Sequence, residues 1–597
     1  MPQEPSPWME KLPTFDPSSD ASFVEYLRWM RVPLSDQVQD SKTVNSGTIL
    51  QLFERFEDND WSDYLNRLTQ RTTRLASIHF KVSCPWRIRV GGTKGPESML
   101  LPAFDALGMP YIPSSTLRGI ARAMASQDKN MSSQEVNKIF GAIEPEPSMG
   151  QVIFMDAYPL PGKEKQGGLS PDMANQIWKW KNNKPPEYDT NPNICISLEK
   201  PTFIIGLRKT KLCSDETLTQ VRDYLIRGLC QGIGSRVNTG YGTLNAQGKL
   251  KEKIIRKPKI IQVDFELDGQ LIHGRQYFKG WDLNRQNRWK SPGKAQAEVR
   301  PTAFRSMLRY WFRALALGVL QPALVRQLEL EIFGGIEPKQ HTGLFRVEVT
   351  GTVECEKSTN DEPGLLVGSL TLRHNALSIK QRKENKNKFE ALQALLKTLT
   401  WLMFHLGGIG QGARRPRYKR SGDNPPWRGS HLFADPDGKD SFWNIPSNIS
   451  KFQKLFRQRL TTFYDCLQAF SEKTINLNRL LTVDPQNGWA EAVDKNCEIV
   501  VCRGIVKGNK GFALSILHGQ DFKIKKNDKY DYDSELCGGV GNKSIPSPVW
   551  IREFDYIEGV DFQVVTVFGA KTGKREAFLD KLQQKSGQNN FLPIFPL

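Results

Sequence analysis

Two glycine-rich segments that carry arginine have the strongest chemical signal in this sequence. They read GLCQGIGSRVNTGYGTL at 228–244 and HLGGIGQGARRPRYKR at 405–420. A glycine-rich loop lets the backbone approach a phosphate chain closely, and arginine adds a permanently charged bidentate donor. We therefore predict that both loops bind RNA. The predicted contacts are Gly232, Gly234, Arg236, Gly240, Tyr241 and Gly242 in the first loop, and Gly408, Gly410, Arg414, Arg415 and Arg417 in the second.

Two alternatives stay open for these loops. Each segment also fits a helix C-terminus that is followed by solvated charge. Tyr241 could stack on a base or simply pack under its loop. The occurrence of two such loops in one basic chain favours the binding interpretation.

Two predicted helices carry arginines at helical spacing. The segment PSSTLRGIARAMA (113–125) opens with Ser114 or Ser115 as a candidate N-cap, and PTAFRSMLRYWFRALALG (301–318) opens with Thr302. Arginines four residues apart stack along one helix face, while the apolar residues point elsewhere. We expect this charged face to meet phosphate without disturbing the core; the alternative is a solvated or salt-bridged face. The arginines concerned are Arg118, Arg122, Arg305, Arg309 and Arg313.

The arginine-bearing helix and the glycine-rich loop occur in the same order in both halves of the chain. Each arginine-bearing helix is followed by IFGAIEP or IFGGIEP and later by a glycine-rich loop. Phe140 and Phe333 are interpreted as core anchors, and the glycines after them as turn residues. Two similar modules predict a long, repetitive, acidic partner, for which RNA is the leading candidate.

Composition agrees with a polyanionic partner without identifying one. The 597 residues include 83 Lys and Arg against 64 Asp and Glu, which gives a net charge of +19. No apolar stretch approaches a membrane span, so we expect a cytoplasmic protein. The nine cysteines lack a CxxC pair and the seven histidines lack HxxxH, so we expect free thiols, no metal site and no cofactor.

The landmark residues resemble the RAMP proteins of CRISPR type III-B (Cmr) effector complexes. IPSSTLRG is similar to the IPGSSLKG-type segment of that family, and the following IFG and the late glycine-rich loop match its order. The first half resembles the sixth Cmr subunit, and the second half resembles the first Cmr subunit, as in a fusion. Two departures are Ser306, where the family usually has glycine, and Pro416-Arg417-Tyr418, which replaces its final Arg-Gly-Phe.

The element order and the resemblance together predict an α+β protein. Strand, helix, strand, strand, helix, strand in each half indicates tandem ferredoxin-like (RRM-like) RAMP domains. Apolar spacing in FVEYLRWM and ILQLFERF adds a helical N-terminal segment, and GFALSIL is expected to be one of the late strands. The predicted domains are 1–72, 73–250, 260–430 and 431–597.

The resemblance implies a non-catalytic RNA-binding scaffold in antiviral defence. Such a subunit would cap the complex backbone at the 3′ portion of the guide RNA and contribute to target RNA binding. Its expected partners are guide RNA (crRNA), target RNA, the other backbone Cmr subunits and the small helical subunits, with no membrane.

The alternative function is a RAMP-type endoribonuclease that processes guide precursor or cleaves target RNA. Backbone subunits of type III complexes cut target RNA with an aspartate in a loop after the first strand, and Asp105 in AFDALGMPYIPSS is the nearby candidate. Asp156, Asp282, His273 and Tyr277 are weaker candidates. We predict no catalytic residue.

Overall fold

The computed structural model describes most of the chain from residue 60 onward. The described residues are 60–597 without 92–102, 106–107, 145–146, 163–166, 176–177, 181–183, 189–191, 249, 251–257, 278–281, 284–288, 291–293, 336–340, 356–361, 376–384, 421–426, 485–489, 506–509, 527–528, 540–544, 555–556 and 558. The two predicted N-terminal helices at 23–30 and 49–56 lie outside these residues.

Two compact units divide the chain. The first comprises Met1–Asn175, Pro192–Arg256 and Arg275–Gln296; the second comprises Gln176–Asn191, Lys257–Gly274 and Ala297–Leu597. Each unit therefore includes a segment whose flanking sequence belongs to the other.

The elements up to residue 246 are α1 (Ser62–Leu75), β1 (Ile78–Ser83), β2 (Arg87–Ile88), α2 (Ser114–Ala125), α3 (Ser133–Phe140), β3 (Val152–Phe154), β4 (Leu169–Asn175), β5 (Trp178–Lys179), β6 (Glu187–Tyr188), β7 (Pro192–Glu199), β8 (Thr202–Lys209), α4 (Asp215–Gln231) and β9 (Asn245–Ala246). We call β1, α2, β3, β8, α4 and β9 module one.

The elements from 259 to 434 are β10 (Lys259–Gly269), β11 (His273–Tyr277), β12 (Asp282–Leu283), β13 (Trp289–Lys290), β14 (Lys294–Ala297), α5 (Pro301–Leu317), α6 (Pro322–Phe333), β15 (Phe345–Cys355), β16 (Gly364–His374), α7 (Lys386–Leu406), β17 (Tyr418–Lys419), β18 (Trp427–Arg428) and β19 (Ser430–Ala434). We call β10, α5, β15, β16, α7 and β19 module two.

The remaining elements are α8 (Ile449–Ser471), β20 (Glu498–Cys502), α9 (Phe512–Leu517), β21 (Lys523–Lys526), β22 (Lys529–Tyr532), α10 (Ser534–Cys537), β23 (Val549–Glu553), β24 (Gln563–Val567), α11 (Gly573–Ser586) and β25 (Phe591–Phe595). We call β20, α9, β23, β24, α11 and β25 module three.

The three modules have the same strand order. Their four-stranded sheets run β3-β8-β1-β9, β15-β16-β10-β19 and β23-β24-β20-β25. In each, the first strand of the module lies between its third and fourth strands, and all neighbouring strands are antiparallel. The predicted α+β class is thus confirmed.

Apolar periodicity explains how the modules form. In β10, Ile261, Val263, Phe265 and Leu267 are buried on alternate positions, as expected for a strand with one face on the core. In α2, Leu117 and Ala121 are buried one turn apart and join the same core cluster as Leu225 of α4. Helix α7 spans Lys386–Leu406, and its leucines Leu392, Leu395, Leu399 and Leu402 are buried at helical spacing.

Three local expectations are wrong. Helix α2 has Pro113 at its N-cap, and the carboxylate of Asp156 accepts a hydrogen bond from the Ser114 N–H at 2.6 Å, so the cap comes from a distant residue. Helix α5 begins at Pro301 after Arg300, so Thr302 lies inside the first turn. GFALSIL contains helix α9 rather than a strand, because a short apolar run is compatible with either element once it is buried.

The described residues were compared with the requirements of a membrane-spanning helix and of a metal site. Among them, no helix combines the length and apolar character needed to cross a membrane. In the same part of the chain, no group of three or more His, Cys, Asp or Glu side chains is placed to hold a metal ion.

Candidate nucleic-acid interface

The equivalent arginines Arg122 and Arg309 hold equivalent turns. Arg122 donates to the carbonyl oxygen of Gly141 at 2.9 Å and to Asn137 Oδ1 at 2.6 Å. Arg309 donates to the carbonyl oxygen of Gly334 at 3.2 Å. Each glycine follows the IF of its repeat and has a positive φ of 82° or 75°, a conformation that glycine adopts without strain. These two arginines therefore position backbone turns.

The arginines of α5 converge on one buried carboxylate. Glu329 of α6 accepts from Arg309 Nε at 2.6 Å and from Arg313 at 2.7 and 3.0 Å, and Trp180 Nε1 donates to it at 3.2 Å. Glu329 is 1% exposed and Arg313 is 6% exposed. Arg309 and Arg313 are thus salt-bridged, which was the alternative for this helix face, and their contact with RNA stays a prediction.

Arg118 and Arg305 are the remaining pair of equivalent arginines. Arg118 is exposed on α2, and Arg305 is half-buried on α5. Within the described residues, Arg305 Nε has no hydrogen-bond partner. Burial and the neighbouring Arg309 cation lower the pKa of Arg305 to about 9. An approaching anion would offset both effects.

The first glycine loop packs closely on the strand segment that contains β2. The Ser235 N–H donates to the Arg89 carbonyl at 2.9 Å, and the Gly242 N–H donates to the Arg87 carbonyl at 2.8 Å. Gly234 and Gly242 have φ values of 79° and 68°. A Cβ on Gly234 would lie 2.2 Å from the Arg89 oxygen, so close backbone packing requires glycine there whether or not a ligand binds.

Tyr241 packs under this loop, and base stacking on its ring is excluded by its full burial. Its hydroxyl donates to Asp172 Oδ2 at 2.6 Å, and its ring contacts Trp86 edge-on at a centroid distance of 4.5 Å. The guanidinium of Arg236 lies over the same ring at 5.5 Å. Arg236 itself has a left-handed backbone (φ 59°). Gly232 and Gly240, with φ of 95° and 83°, complete the turns of the loop.

The arginines of the second loop contact module three, in the same unit. Arg414 pairs with Glu491 at 2.9 Å, donates to the Ser547 carbonyl and lies 4.7 Å over the Trp550 ring. Arg415 donates to the Val549 carbonyl at 2.5 Å and to Ser547 Oγ at 2.8 Å.

Arg417 forms an ion pair with Asp268 and covers the ring of Trp427 at 5.2 Å. The loop glycines are likewise enclosed. A Cβ on Gly408 would lie 2.3 Å from Ser430 Oγ, and Gly410 has a φ of 79°. The arginines that were predicted to bind phosphate therefore fix the second loop to the neighbouring strands and loops.

The carboxylate of Asp105 is engaged within its own loop. Asp105 Oδ1 accepts from the Met109 N–H at 2.8 Å, and the Asp105 N–H donates to the Met109 carbonyl at 2.9 Å. The Tyr158 hydroxyl also hydrogen-bonds to Asp105, and burial together with that carboxylate raises the pKa of Tyr158. The side chains of Asp282, His273 and Tyr277 lie outside the described residues.

Sequence reasoning missed the two acidic residues that organise these sites. Asp172 lies at the start of the polar, proline-containing segment 171–193, and nothing in the neighbouring sequence indicates a buried partner. The sequence does contain an indication that Glu329 is buried. It lies four residues from the apolar residues Val325 and Phe333, on the same face of the helix. A charge on an apolar helix face indicates a buried partner.

Sequence comparison finds a match to one family model. The model of the RAMP superfamily matches residues 79–245 and 295–415 of this chain. These two matches enclose both arginine-bearing helices and the predicted loop contacts through Arg415, but not Arg417.

The chain is also similar to individual Cmr proteins, and the sequence match to Cmr6 confirms the resemblance to Cmr-type RAMP proteins. Over 218 residues the chain is 25% identical to the CRISPR system Cmr subunit Cmr6 of Saccharolobus solfataricus, a match that covers 34% of this chain and 72% of the relative. A solved chain of type III-B Cmr-beta bound to cognate target RNA is 21% identical, with a TM-score of 0.26 and coverage of 38% and 86%. Cmr6 from Pyrococcus furiosus is 18% identical, with a TM-score of 0.18 and coverage of 28% and 97%.

Proposed function

We propose that this chain is a non-catalytic RNA-binding scaffold subunit of a type III-B CRISPR effector complex. It holds the 3′ portion of the guide RNA, contributes to target RNA binding and contacts other Cmr subunits. The observation that carries this proposal is the pair of RAMP matches, each of which contains an arginine-bearing helix and a glycine-rich loop. The net charge of +19 supports a polyanionic partner.

The modules are proposed to be ferredoxin-like. The order in which the first strand lies between the third and fourth, with both helices placed as in a split βαβ, supports this assignment in all three. In this scheme the chain supplies repeated, similar surfaces to a repetitive polymer.

Arg118 and Arg305 are the proposed phosphate contacts on the helices. Their repeat partners Arg122 and Arg309 are engaged with glycine turns. Arg118 is exposed, and desolvation of Arg305 together with its like-charged neighbour favours an anion beside it. The two members of each arginine pair thus have different tasks, one toward RNA and one toward the fold.

The test compares two double variants of the full chain that carry the same charge change. Arg118→Gln with Arg305→Gln should weaken guide-RNA binding by about tenfold or more per lost contact, since a hydrogen bond to a charged group contributes ~1.5–3 kcal/mol. The melting temperature should stay unchanged. Arg122→Gln with Arg309→Gln should instead lower the melting temperature. Equal RNA affinity in the first variant and the wild type would remove these helices from the interface.

Sequence preference provides a second measurement. Contacts to phosphates do not read bases, so affinity should vary little with the spacer sequence of the guide and should fall steeply with added salt. A strong spacer dependence with a flat salt response contradicts the proposal.

Cleavage separates the scaffold from an endoribonuclease. Purified chain is incubated with labelled guide precursor and target RNA, with and without divalent metal, and the RNA is examined for both binding and cutting. Binding with intact RNA is expected; cutting that depends on the chain would support the enzyme instead.

A further inference from the structure

A second group of cations and aromatic rings lies in and beside module three, outside both RAMP matches apart from its anchor at Arg415. Its centre is His518, which follows α9. The ring of His518 lies 4.4 Å from that of Tyr532 and 5.9 Å from that of Tyr418. His518 directly follows α9, while Tyr532 lies in β22 and Tyr418 in β17, so separate parts of the chain bring the three rings together.

Cationic side chains surround these rings. Lys523 pairs with Tyr532 across the β21–β22 hairpin, and its Nζ lies 5.9 Å from the Tyr532 ring centroid. Arg420 is exposed two residues after Tyr418. Arg415 is fixed nearby by its hydrogen bonds to Val549 and Ser547. Lys510 lies close enough to Lys523, Arg420 and His518 for its charge to interact with them. We call Tyr418, Arg420, Lys510, His518, Lys523 and Tyr532 the His518 cluster.

The electrostatics of the His518 cluster favour an anion. Burial, followed by the cations Arg415, Lys510, Arg420 and Lys523, lowers the pKa of His518 to about 3. Burial, then Lys523 and Arg420, also lowers the pKa of Lys510. Like charges that disfavour one another's charged forms are relieved by a negative group placed among them.

His518 also has an unused polar atom. Its Nδ1 is buried and makes no hydrogen bond with the described residues. The cluster thus combines positive charge, ring faces and a buried, unsatisfied nitrogen.

We propose that the His518 cluster binds single-stranded RNA, with Lys510, Lys523 and Arg420 around a backbone phosphate and the Tyr418 and Tyr532 rings beside a base. Sites for single-stranded RNA combine a positive surface with aromatic rings in this way. The inference rests on the proposed function and extends it, because it places an RNA contact beside module three, where the end of the second glycine-rich segment supplies Tyr418 and Arg420.

The experiment measures binding of an unstructured RNA to the full chain at several salt concentrations. Lys510→Gln with Lys523→Gln is compared with Lys451→Gln with Lys454→Gln, two exposed lysines in the first turns of α8. The cluster variant should bind about tenfold more weakly or worse. Its slope of log affinity against log salt should be shallower by about 1.4, at about 0.7 for each lost contact to a single strand. The control variant should keep the wild-type affinity and slope.

Photocrosslinking of 4-thiouridine RNA to the wild-type chain provides a measurement that does not depend on the variants folding. Crosslinks should map to peptides that contain Tyr418 or Tyr532. If the wild type binds RNA but the cluster variant matches its control, or if all crosslinks map elsewhere, the inference is overturned while the proposed function stands. If the wild type binds no RNA, both are overturned.

Discussion

Arg122 and Arg309 occupy the same position in two repeats and make the same hydrogen bond, to the carbonyl oxygen of the glycine that ends the next helix. After each glycine comes a single-bridge hairpin, Ala142 with Ser148 and Gly335 with His341. The recurrent arginine therefore holds a recurrent turn, which explains the repetition of IFG without any chemistry at that motif.

The same turn occurs a third time without its sequence signature. Gly538 ends α10 with a φ of 74°, and Gly539 bridges Ile545 six residues later, the spacing found in the other two hairpins. The segment reads LCGGVGNKSIPS and lacks the phenylalanine that marks the other copies. Backbone geometry is thus repeated more faithfully than sequence.

Replacement of Glu329 should destabilise the second unit. Glu329→Gln leaves Arg313 buried without its carboxylate, which costs about 3–5 kcal/mol of unfolding free energy. Glu331→Gln is the control on the same helix; it breaks a pair with Lys388 at 3.6 Å whose side chains are 23% and 32% exposed, and it should cost under about 1 kcal/mol. Denaturant unfolding measures both. Equal losses would show that the buried pair contributes no more than the surface pair.

The free energy of unfolding should depend on pH through the ionisation of Glu329. Burial raises the pKa of Glu329, but Arg313 and Arg309 outweigh it and lower the pKa from 4.5 to about 2. Because the folded pKa lies below the unfolded one, this stabilisation is complete above about pH 4.5 and is lost as the pH falls toward about 2. The wild type should lose stability more steeply across this window than Glu329→Gln. Parallel curves for the two proteins would contradict the assignment.

A glycine in the first loop, Gly234, and one just after it, Gly248, separate the cost of a left-handed backbone from the cost of close packing. Gly234 and Gly248 both have positive φ, but only Gly234 has an atom near the position of an added Cβ. Gly248→Ala should cost about 1 kcal/mol for the left-handed backbone. Gly234→Ala should cost about 1–3 kcal/mol more, because the Arg89 carbonyl must move. Thermal unfolding of the two variants tests this, and similar melting temperatures would mean that the loop adapts to the extra carbon.

Asp105 is expected to be dispensable for RNA cutting. Asp105→Ala removes the side-chain hydrogen bonds with Met109 and Tyr158, each worth about 1 kcal/mol, and should leave the assembled complex with the same number of target RNA products. Asp63→Ala, an exposed position in α1, provides the same change of charge. Loss of one product in Asp105→Ala alone, with assembly intact, would assign catalysis to this loop.

Local patterns were sufficient for much of the fold and for little of the site. Alternating apolar residues predict β10, and helical spacing predicts α4 and α7, because these signals arise within one element. Arg313 is buried in an ion pair because Glu329 of the next helix faces it. Tyr241 is buried with its hydroxyl hydrogen-bonded to Asp172, which lies 69 residues earlier in the chain. Partners of this kind are set by tertiary packing, so a stripe of arginines reads alike whether it meets phosphate or a carboxylate.

The hairpin of β5 and β6 belongs to the second unit although its flanking strands belong to the first. It supplies Trp180, the indole donor to Glu329, and Trp178, whose ring centroid lies 6.1 Å from that of Tyr310. A polypeptide that begins at Lys257 lacks both tryptophans. A gene split just before Lys257 would therefore yield a C-terminal product whose core lacks both rings and whose Glu329 lacks its indole donor.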